Sequence, residues 1–370
     1  MGSVRWVLLG IFLTSALAQR GPTRPEIAPL PDDPLELATG PAKVLDTPQL
    51  RALVLGLLEQ ARQNNGMHTP AGAPFDIKVS FNSVGQTGYA AQGELEETWM
   101  TGQRWRWTAH IGDYNIDKLF YNGAAYDERP KSPIPLRLQM VRSAVFWPVS
   151  GNFAPAYLRA ATAKWDGDEV MCVLSSRGAD AEIDQLSEGA QTSGNGRRWS
   201  ETEYCIDPKT GLLRTYSEAP GIYTVYDYND VTIHFHGRTL ARQISVVAGG
   251  MTILQIHIDS IADPHVSDPA FFLATPQMLQ RGPQGMMAGP FRFEQWVAAP
   301  PGYANAIQPV VVIATLDRKG KALEAEVLPD ADASLSSAAQ SLVMHTTYRQ
   351  AQHGAEQRLA YINVRFFPKK

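Results

Sequence analysis

The sequence lacks both an excess of charge and any long hydrophobic run. Its 33 lysine and arginine residues against 37 aspartate and glutamate residues give a net charge of −4 at pH 7, and the isoelectric point is about 6.1. It has no basic face or polybasic segment to bind nucleic acid or acidic lipid. The longest apolar run, residues 6–17, is shorter than the roughly 20 residues that a membrane-spanning helix needs. We therefore expect no nucleic-acid partner and no stable membrane span.

The N-terminus follows the pattern of a secretory signal peptide. Arg5 precedes the apolar run, and the small residues Ala16 and Ala18 flank Leu17 just ahead of Gln19. This pattern predicts cleavage after Ala18 and export to the periplasm, with an uncleaved anchor as the alternative. The residue directly after this cleavage site is Gln19 rather than cysteine, so anchoring through a lipidated cysteine is not expected.

Cysteine is scarce, with only Cys172 and Cys205 in the chain. Both lie in strand-like runs, and an even number of cysteines in an exported protein favours a disulfide. Closing a loop of this size should contribute about 3–4 kcal/mol in the chain-entropy model. Two buried free thiols are the alternative, and a redox-active pair is not expected without C-x-x-C spacing.

The sequence also lacks the motifs of common enzyme classes, including the G-x-S-x-G elbow, the H-E-x-x-H helix, the P-loop and a G-x-G-x-x-G after a strand. His234, His236 and His257 have a spacing that would suit a metal site, but the solvated face of an antiparallel sheet explains it equally. We predict no catalytic residue, no metal and no cofactor. The alternative is a periplasmic hydrolase of unknown substrate, because a catalytic triad is assembled in space rather than in sequence.

Residues 19–46 are rich in proline and acidic residues, and they are predicted to form a disordered leader. A helix should then begin at the Thr47–Pro48 pair and end at Gly66. The apolar residues of this helix recur at helical spacing; they are Leu50, Leu53, Val54, Leu57, Leu58 and Ala61. A helix with one apolar face must cover another part of the protein.

Strand signals recur from about residue 75 to residue 262, with turn residues between them, and they include separate predicted strands at residues 118–121, 223–228 and 231–236. Their spacing predicts one large antiparallel sheet, curved or partly closed, in a domain of residues 47–275. A second amphipathic helix, residues 134–147, interrupts the strands. Both helices are expected to pack on the concave face of the sheet. The ligand-pocket candidates on the two helices are Leu53, Leu57, Leu138, Val141 and Val145.

Two strand pairs are dense in aromatic residues. These are Trp99, Trp105 and Trp107 on one pair, and Tyr223, Tyr226 and Tyr228 on the other. Aromatic residues in strands usually pack in the core or against a neighbouring strand. On a concave face they would instead form the floor of an apolar pocket for a lipid or an acyl chain.

About eleven strands, with one helix before them and one in their middle, resemble the LolA-like half-barrel of periplasmic lipoprotein carriers. Residues 105–107 ahead of the turn at 122–123, the run 204–213 and the run 237–244 fit the turns of that family. Position 241 is alanine where the carriers usually have proline. The resemblance covers about three-fifths of the chain, and it implies binding of an apolar ligand or a lipoprotein.

Residues 276–290 are rich in proline and glycine and are predicted to form a linker. After it, residues 310–316 and 322–328 predict a hairpin, residues 334–343 a helix, and residues 361–366 a last strand. The predicted fold class is β-rich α+β. A large curved antiparallel sheet, an open half-barrel with covering helices, would be followed by a small β-β-α-β domain in residues 291–370.

The small domain carries a recognisable set of spaced residues. They are Val310 and Val312, Asp317 with Gly320, Leu335 with Ala338 and Ala339, Tyr348 with Ala351 and Gly354, and Val364 with Phe366. This pattern resembles the C-terminal domain of TonB-type energy transducers, although Gln350 stands where that family commonly has proline. The resemblance implies that the last strand is an open edge, to which an outer-membrane receptor or other envelope protein adds a strand. The predicted partner-binding residues are Tyr361, Ile362, Asn363, Val364, Arg365 and Phe366.

These features predict a non-enzymatic periplasmic binding protein. Its carrier-like domain would hold an apolar ligand, such as a lipid or acyl chain, or a lipoprotein. Its TonB-like domain would bind a partner by strand addition. A structural envelope scaffold is an alternative alongside the hydrolase.

Overall fold

The computed structural model describes residues 26–31, 36–37, 43–44, 47–69, 72–84, 91–128, 132–151, 153–176, 196–302, 306–329, 331–348 and 355–368. Within these ranges the chain forms two β-sheets, of fourteen and five strands, and four α-helices. The predicted β-rich α+β class is confirmed. The predicted signal peptide, residues 1–18, lies outside the described residues. None of the helices described combines the length and apolar character needed to cross a membrane.

All neighbouring strands of the large sheet are antiparallel. Their spatial order is β2 (Glu36–Leu37), β9 (Leu158–Trp165), β10 (Asp168–Ser176), β11 (Glu201–Ile206), β12 (Leu213–Ala219), β13 (Ile222–Phe235), β14 (Arg238–Ala248), β15 (Met251–Ala262), β4 (Phe75–Ser83), β5 (Ala91–Thr101), β6 (Arg104–Ile111), β7 (Tyr114–Tyr121) and β8 (Ala124–Glu128). The remaining strand, β3 (Lys43–Val44), also pairs with β9. The order ends at β2 and β8, so the sheet is open, as predicted.

Most of the predicted strands are present, and three details need correction. The sequence did not indicate β8 and β9, because their residues include several alanines and few β-branched side chains. β7 begins at Tyr114 rather than at residue 118. The two strands predicted at 223–228 and 231–236 are one long strand, β13, with a register shift between Asp227 and Thr232.

Helix α1 (Pro48–Asn65) has the predicted caps. Thr47 Oγ1 accepts a hydrogen bond from Leu50 N at 3.2 Å, and Gly66 N donates to the carbonyl of Arg62 at 2.7 Å. Its buried face consists of Val54, Leu57, Leu58, Ala61 and Asn65. Leu53 is 52% exposed, so its predicted place on this face is wrong. It lies at the margin of the buried stripe, with about half of its surface exposed.

Helix α2 (Leu136–Phe146) is buried on nearly every side, with ten of its eleven residues buried. Its pattern predicted an amphipathic helix with one face in solvent. Residues of the C-terminal unit cover that face instead: Arg137 Nη2 lies 2.6 Å from Glu326 Oε1, and Gln139 Nε2 donates to Thr315 Oγ1 at 2.8 Å. Buried polar side chains need such partners, and the C-terminal unit supplies them.

The predicted linker, residues 276–290, contains regular structure. Helix α3 (Pro276–Arg281) begins there, and Thr275 Oγ1 accepts a hydrogen bond from Met278 N at 3.2 Å as its N-cap. Strand β16 (Met286–Ala298) follows. Pro276 and Gly282 mark the two ends of α3, whereas Gly289 and Pro290 lie within β16, where its register with β19 shifts.

The small sheet has the spatial order β1 (Glu26–Ile27), β17 (Ala306–Asp317), β19 (Ala355–Phe367) and β16, with β18 (Ala322–Val327) also paired to β17. Helix α4 (Ala333–His345) lies between β18 and β19 in sequence, which confirms the predicted β-β-α-β order. In the β17–β18 turn, Asp317 Oδ1 accepts hydrogen bonds from Lys319 N at 2.8 Å and Lys321 N at 2.9 Å. Gly320 adopts φ +83°, the left-handed conformation that its position in the turn predicted.

Strand β19 is a central strand, and its prediction as an open edge is wrong. β17 pairs with it antiparallel on one side, and β16 pairs with it in parallel on the other. All six predicted partner-binding side chains are buried; they are Tyr361, Ile362, Asn363, Val364, Arg365 and Phe366. Strand β16, which covers this edge, begins within the predicted linker, whose proline and glycine content does not indicate a strand.

The N-terminal leader is not wholly disordered, contrary to prediction. β1 runs parallel to β17 in the small sheet, with Glu26 opposite Ala306, and Ala28 N donates to the carbonyl of Ile307 at 2.9 Å. β2 and β3 pair with β9 in the large sheet. Leu30 is 2% exposed. The described parts of this segment therefore connect the two sheets.

The units predicted as separate domains share one hydrophobic core. The main cluster combines α1, α2 and the inner face of the large sheet, which is the face that these helices cover, with one face of the small sheet. The residues from the small unit are Val311, Ile313, Leu328, Leu359 and Tyr361. The opposite face of the small sheet packs against α4 through Leu335, Ala339 and Val343.

The predicted disulfide between neighbouring strands is confirmed. Cys172 on β10 and Cys205 on β11 lie directly opposite each other in the register and are joined. Ala163 and Val170 pack beside the bond, and both are buried.

Candidate functional site

A cavity of about 200 Å³ opens on the inner face of the large sheet, between the β5–β6 hairpin and the end of α2. We call it the tryptophan cavity. The residues that line it are His68, Glu97, Trp99, Gly102, Trp105, Trp107, Lys118, Arg142 and Trp147. Depressions of about 600, 490 and 360 Å³ are larger, but exposed polar residues such as Glu94 and His110 line the first two, and half of the residues around the third are serine, threonine or glutamate. The tryptophan cavity differs because four tryptophans line it, and three of them, Trp99, Trp105 and Trp107, are buried.

Strand alternation brings the wall residues to one face. Glu97 on β5 lies opposite Trp107 on β6, and Trp107 lies opposite Lys118 on β7. In the next row towards the hairpin turn, Trp99 lies opposite Trp105. Side chains two residues apart along a strand share a face, so the two rows form one continuous surface. The sheet therefore contributes a polar row, which is Glu97 and Lys118 with Trp107 between them, beside an aromatic row, which is Trp99 and Trp105.

Glu97 is the centre of a buried ion-pair network. Its Oε1 lies 2.6 Å from His68 Nε2, and its Oε2 accepts a hydrogen bond from Arg142 Nη1 at 2.8 Å. Burial raises the pKa of Glu97, but Arg142 and His68 together outweigh burial and leave this pKa below its ordinary value. Burial also lowers the pKa of Arg142, and Glu97 opposes that effect. Both oxygens of the carboxylate are thus used by basic groups.

Aromatic rings hold the two basic groups in place. The Arg142 guanidinium lies 4.1 Å from the ring centre of Trp107 and 4.9 Å from that of Phe146. The imidazole of His68 stacks on Phe146, with the ring centres 4.7 Å apart and the planes 7° from parallel. Such contacts are favourable for a cation over an aromatic face and they fix the orientation of both side chains.

A second charged group lies along the polar row. Lys118 Nζ donates to the carbonyl of Gly285 at 2.8 Å and lies 3.8 Å from Asp127 Oδ2 on β8. Arg281, the last residue of α3, places its Nε 3.6 Å from Asp127 Oδ1. Residues of the predicted linker therefore complete one side of the site.

The predicted pocket residues lie elsewhere. Leu57, Leu138, Val141 and Val145 are buried in the main core, as expected of helices packed on the sheet. None of them lines the tryptophan cavity, and Val145 borders only a space of about 10 Å³. The concave face is thus filled largely by the protein's own side chains.

The aromatic prediction divides between the two strand pairs. Trp99, Trp105 and Trp107 form part of the cavity wall. For these three residues the structure therefore agrees with the pocket alternative rather than with simple core packing. Tyr226 is instead a core residue, and Tyr228 packs partly buried against the core. Their hydroxyls donate to the Ala144 carbonyl and to Asn65 Oδ1, each at 3.0 Å.

His234, His236 and His257, whose spacing would suit a metal site, do not form a cluster. His236 Nε2 lies 2.6 Å from Asp263 Oδ1, whereas His257 Nε2 lies 3.9 Å from Asp259 Oδ1. His234 lies beside Thr232 and Thr239. The three side chains therefore have different partners, as expected of polar residues on a solvated face.

Sequence reasoning missed the charged residues of the site, although their position in the strand pattern gives a signal. Glu97 is in phase with the buried residues Leu95 and Trp99, and Lys118 is in phase with buried Ile116. An ionisable residue in the apolar phase of a strand must find a buried partner or a functional use. This criterion would have selected both residues.

The lowered pKa of Glu97 predicts acid sensitivity. Because the folded-state pKa lies below the ordinary value of 4.5, the carboxylate contributes stability that is fully present above about pH 4.5 and is lost as pH falls through the folded pKa. As the pH is lowered below 4.5, we expect the urea midpoint of the native protein to decrease more steeply than the urea midpoint of the Glu97→Gln variant. Parallel pH profiles of the two proteins would contradict this.

No family model matches the chain, and no curated protein sequence matches it. Solved structures are similar to about three-fifths of it. A LolA superfamily protein from Nitrosomonas europaea is 8% identical, with 59% of this chain and 96% of that chain covered and a TM-score of 0.35. An outer membrane lipoprotein-sorting protein domain from Vibrio parahaemolyticus is 8% identical, with 60% and 95% covered and a TM-score of 0.32. A DUF1329 family protein from Desulfovibrio piger is 11% identical, with 59% and 96% covered and a TM-score of 0.33.

Proposed function

We propose that this chain is a non-enzymatic periplasmic binding protein that holds the apolar part of a ligand in the tryptophan cavity. The observation that carries the proposal is the wall of four tryptophans, Trp99, Trp105, Trp107 and Trp147, around unfilled space on the inner face of the sheet. Tryptophan offers a large apolar surface and loses little conformational freedom on binding. Water in such a space is readily displaced by an apolar group.

The size of the cavity limits what can enter it. At about 30 Å³ for each water-sized group, its volume of about 200 Å³ accommodates roughly seven non-hydrogen atoms. It therefore suits one end of a lipid or acyl chain rather than a whole lipid. The remainder would leave past Trp147, which is 36% exposed and is the most accessible of the four tryptophans.

The disulfide supports a periplasmic location. Disulfides persist in oxidising compartments and are rare in the cytosol. Cys172 and Cys205 are joined between two buried strands. The predicted signal peptide gives the same location from the sequence.

A hydrolase is less well supported than a binding protein. His68 and Glu97 form a close pair, as in sites where a carboxylate orients a general base. However, the described residues that line the cavity include no serine, threonine or cysteine to act as a nucleophile beside it. The receptor-binding role implied by the TonB resemblance is not retained, because β19 has no open edge.

Titration with n-alkanols of increasing length tests the proposal. Tryptophan fluorescence should report binding, because four of the eight tryptophans line the cavity. Each methylene that enters should contribute about 0.8 kcal/mol, which is about fourfold in affinity. The gain should level off at about six or seven carbons, when the cavity is full. Absence of any saturable signal, or an unbroken gain up to dodecanol, would contradict the proposal.

Gly102 offers a way to block the site. It lies in the turn between β5 and β6, and a Cβ at this position would meet no atom within 4 Å. We expect Gly102→Phe to fill the entrance and to weaken alkanol binding about tenfold or more. Gln103→Phe, at the next residue of the same turn, does not line the cavity and is the matched control. Equal binding by the two variants would show that the ligand binds elsewhere.

A further inference from the structure

Cations outnumber carboxylates around the tryptophan cavity. The ionisable residues that line it are His68, Glu97, Lys118 and Arg142. Behind them, Asp127 lies between Lys118 and Arg281 at 3.8 and 3.6 Å. Each of the two carboxylates therefore has two basic neighbours. Even with a neutral His68, the surroundings of the cavity carry a positive excess, which favours an anionic ligand.

The hydrogen-bonding capacity of the site points the same way. Glu97 already uses one oxygen for His68 and the other for Arg142, at 2.6 and 2.8 Å. Arg142 is 4% exposed, and its Nε is buried with no hydrogen-bond partner among the residues that the structure describes. A buried N–H without an acceptor is unfavourable. Arg142 lines the cavity, so a small shift of its side chain would bring this N–H to an oxygen atom of a ligand.

A cationic ligand does not suit these walls. Aromatic faces attract cations, but Arg142 already stacks on Trp107 at 4.1 Å and lies 5.4 Å from the ring centre of Trp147. A second cation would also meet Lys118, which lines the same cavity. Like charges this close in a poorly solvated site repel strongly.

We propose that the ligand is an aliphatic monocarboxylate, whose carboxylate binds Arg142 and whose chain lies against the tryptophans. This inference rests on the proposed function. Because Trp107 and Phe146 cover the guanidinium face, its edge is the part that remains for hydrogen bonds, and a carboxylate matches such an edge. With the head group and about four carbons inside the cavity, a longer chain leaves past Trp147.

Three ligands with the same octyl chain test the charge of the head group: octanoate, octanol and octyltrimethylammonium. Competition titrations on the full chain at pH 8, where octanoate is ionised, would give their relative affinities. Octanoate should bind about tenfold or more tightly than octanol, and the ammonium compound most weakly. Equal affinity of octanoate and octanol, or tightest binding of the ammonium compound, would overturn this inference and leave the proposed function standing. No binding of any of the three would overturn both.

A paired substitution tests the role of Arg142. Arg142→Gln with Glu97→Gln removes both charges together and keeps two amides that can bond to each other. The ratio of octanoate to octanol affinity should then fall to about one. Lys78→Gln is the control, because this lysine is an exposed cation on the opposite face of β4 and should leave the ratio unchanged. An unchanged ratio in the paired variant would overturn the assignment to Arg142, and the ligand series on the native protein decides the charge preference even if this variant does not fold.

Discussion

Replacing Arg142 by methionine should lower the free energy of unfolding by about 3–5 kcal/mol, because it leaves Glu97 as a buried carboxylate with only His68 beside it. Both side chains of the pair are almost fully buried, at 4% and 1% exposure, so water cannot replace the lost partner. Urea unfolding followed by circular dichroism would measure the change.

Two controls separate the loss of the charge partner from the loss of packing. Arg142→Met with Glu97→Met removes both charges and should recover most of the lost stability, since an apolar pair of similar volume is often tolerated at such sites. Lys78→Met breaks the exposed pair with Glu96 and should change stability little. If Arg142→Met cost no more than Lys78→Met, the buried network would not be a stabilising feature of the fold.

Removing the disulfide should have a similarly large effect. The bond closes a loop between cysteines 33 positions apart, for which the chain-entropy model gives about 4 kcal/mol. Cys172→Ala with Cys205→Ala should therefore lower the urea midpoint strongly. Because the two sheets share one core, they should still unfold in a single transition.

Thiol chemistry provides an independent check of the bond. Unfolded protein that has not been reduced should contain no titratable thiol, and reduction of the native chain should reproduce the loss of stability seen in the double variant. Two free thiols, or a loss below about 1 kcal/mol, would contradict the prediction.

The local features of this fold could be predicted from the sequence because short-range chemistry determines them. Thr47 caps α1 and Asp317 organises the β17–β18 turn, each with groups no more than four residues away. Alternation placed Trp105 and Trp107 on one face of a hairpin. Such elements require no knowledge of what lies across the molecule.

The features that were predicted wrongly depend on partners that are distant in sequence. Arg137 and Gln139 look like the solvent side of α2, but Glu326 and Thr315, almost two hundred positions later, contact them in the folded chain. The last strand looks like an edge until β16 is placed beside it. The charged end of the tryptophan cavity has the same origin, since Glu97 and Arg142 meet only when α2 packs on the sheet. The local sequence pattern predicts whether a surface is polar or apolar, and tertiary contacts determine whether that surface is buried or exposed.

The short strand β1 has a consequence for the order of folding. Glu26 pairs with Ala306, so almost the whole chain must be present before this contact can form. Pairings so distant in sequence close late, because the loop between them carries the largest entropy cost. A chain synthesised from its N-terminus would therefore present β1 long before its partner strand β17 is available. The pairing of β1 with β17 would be one of the last steps of folding. This pairing would become stable only after both sheets had formed.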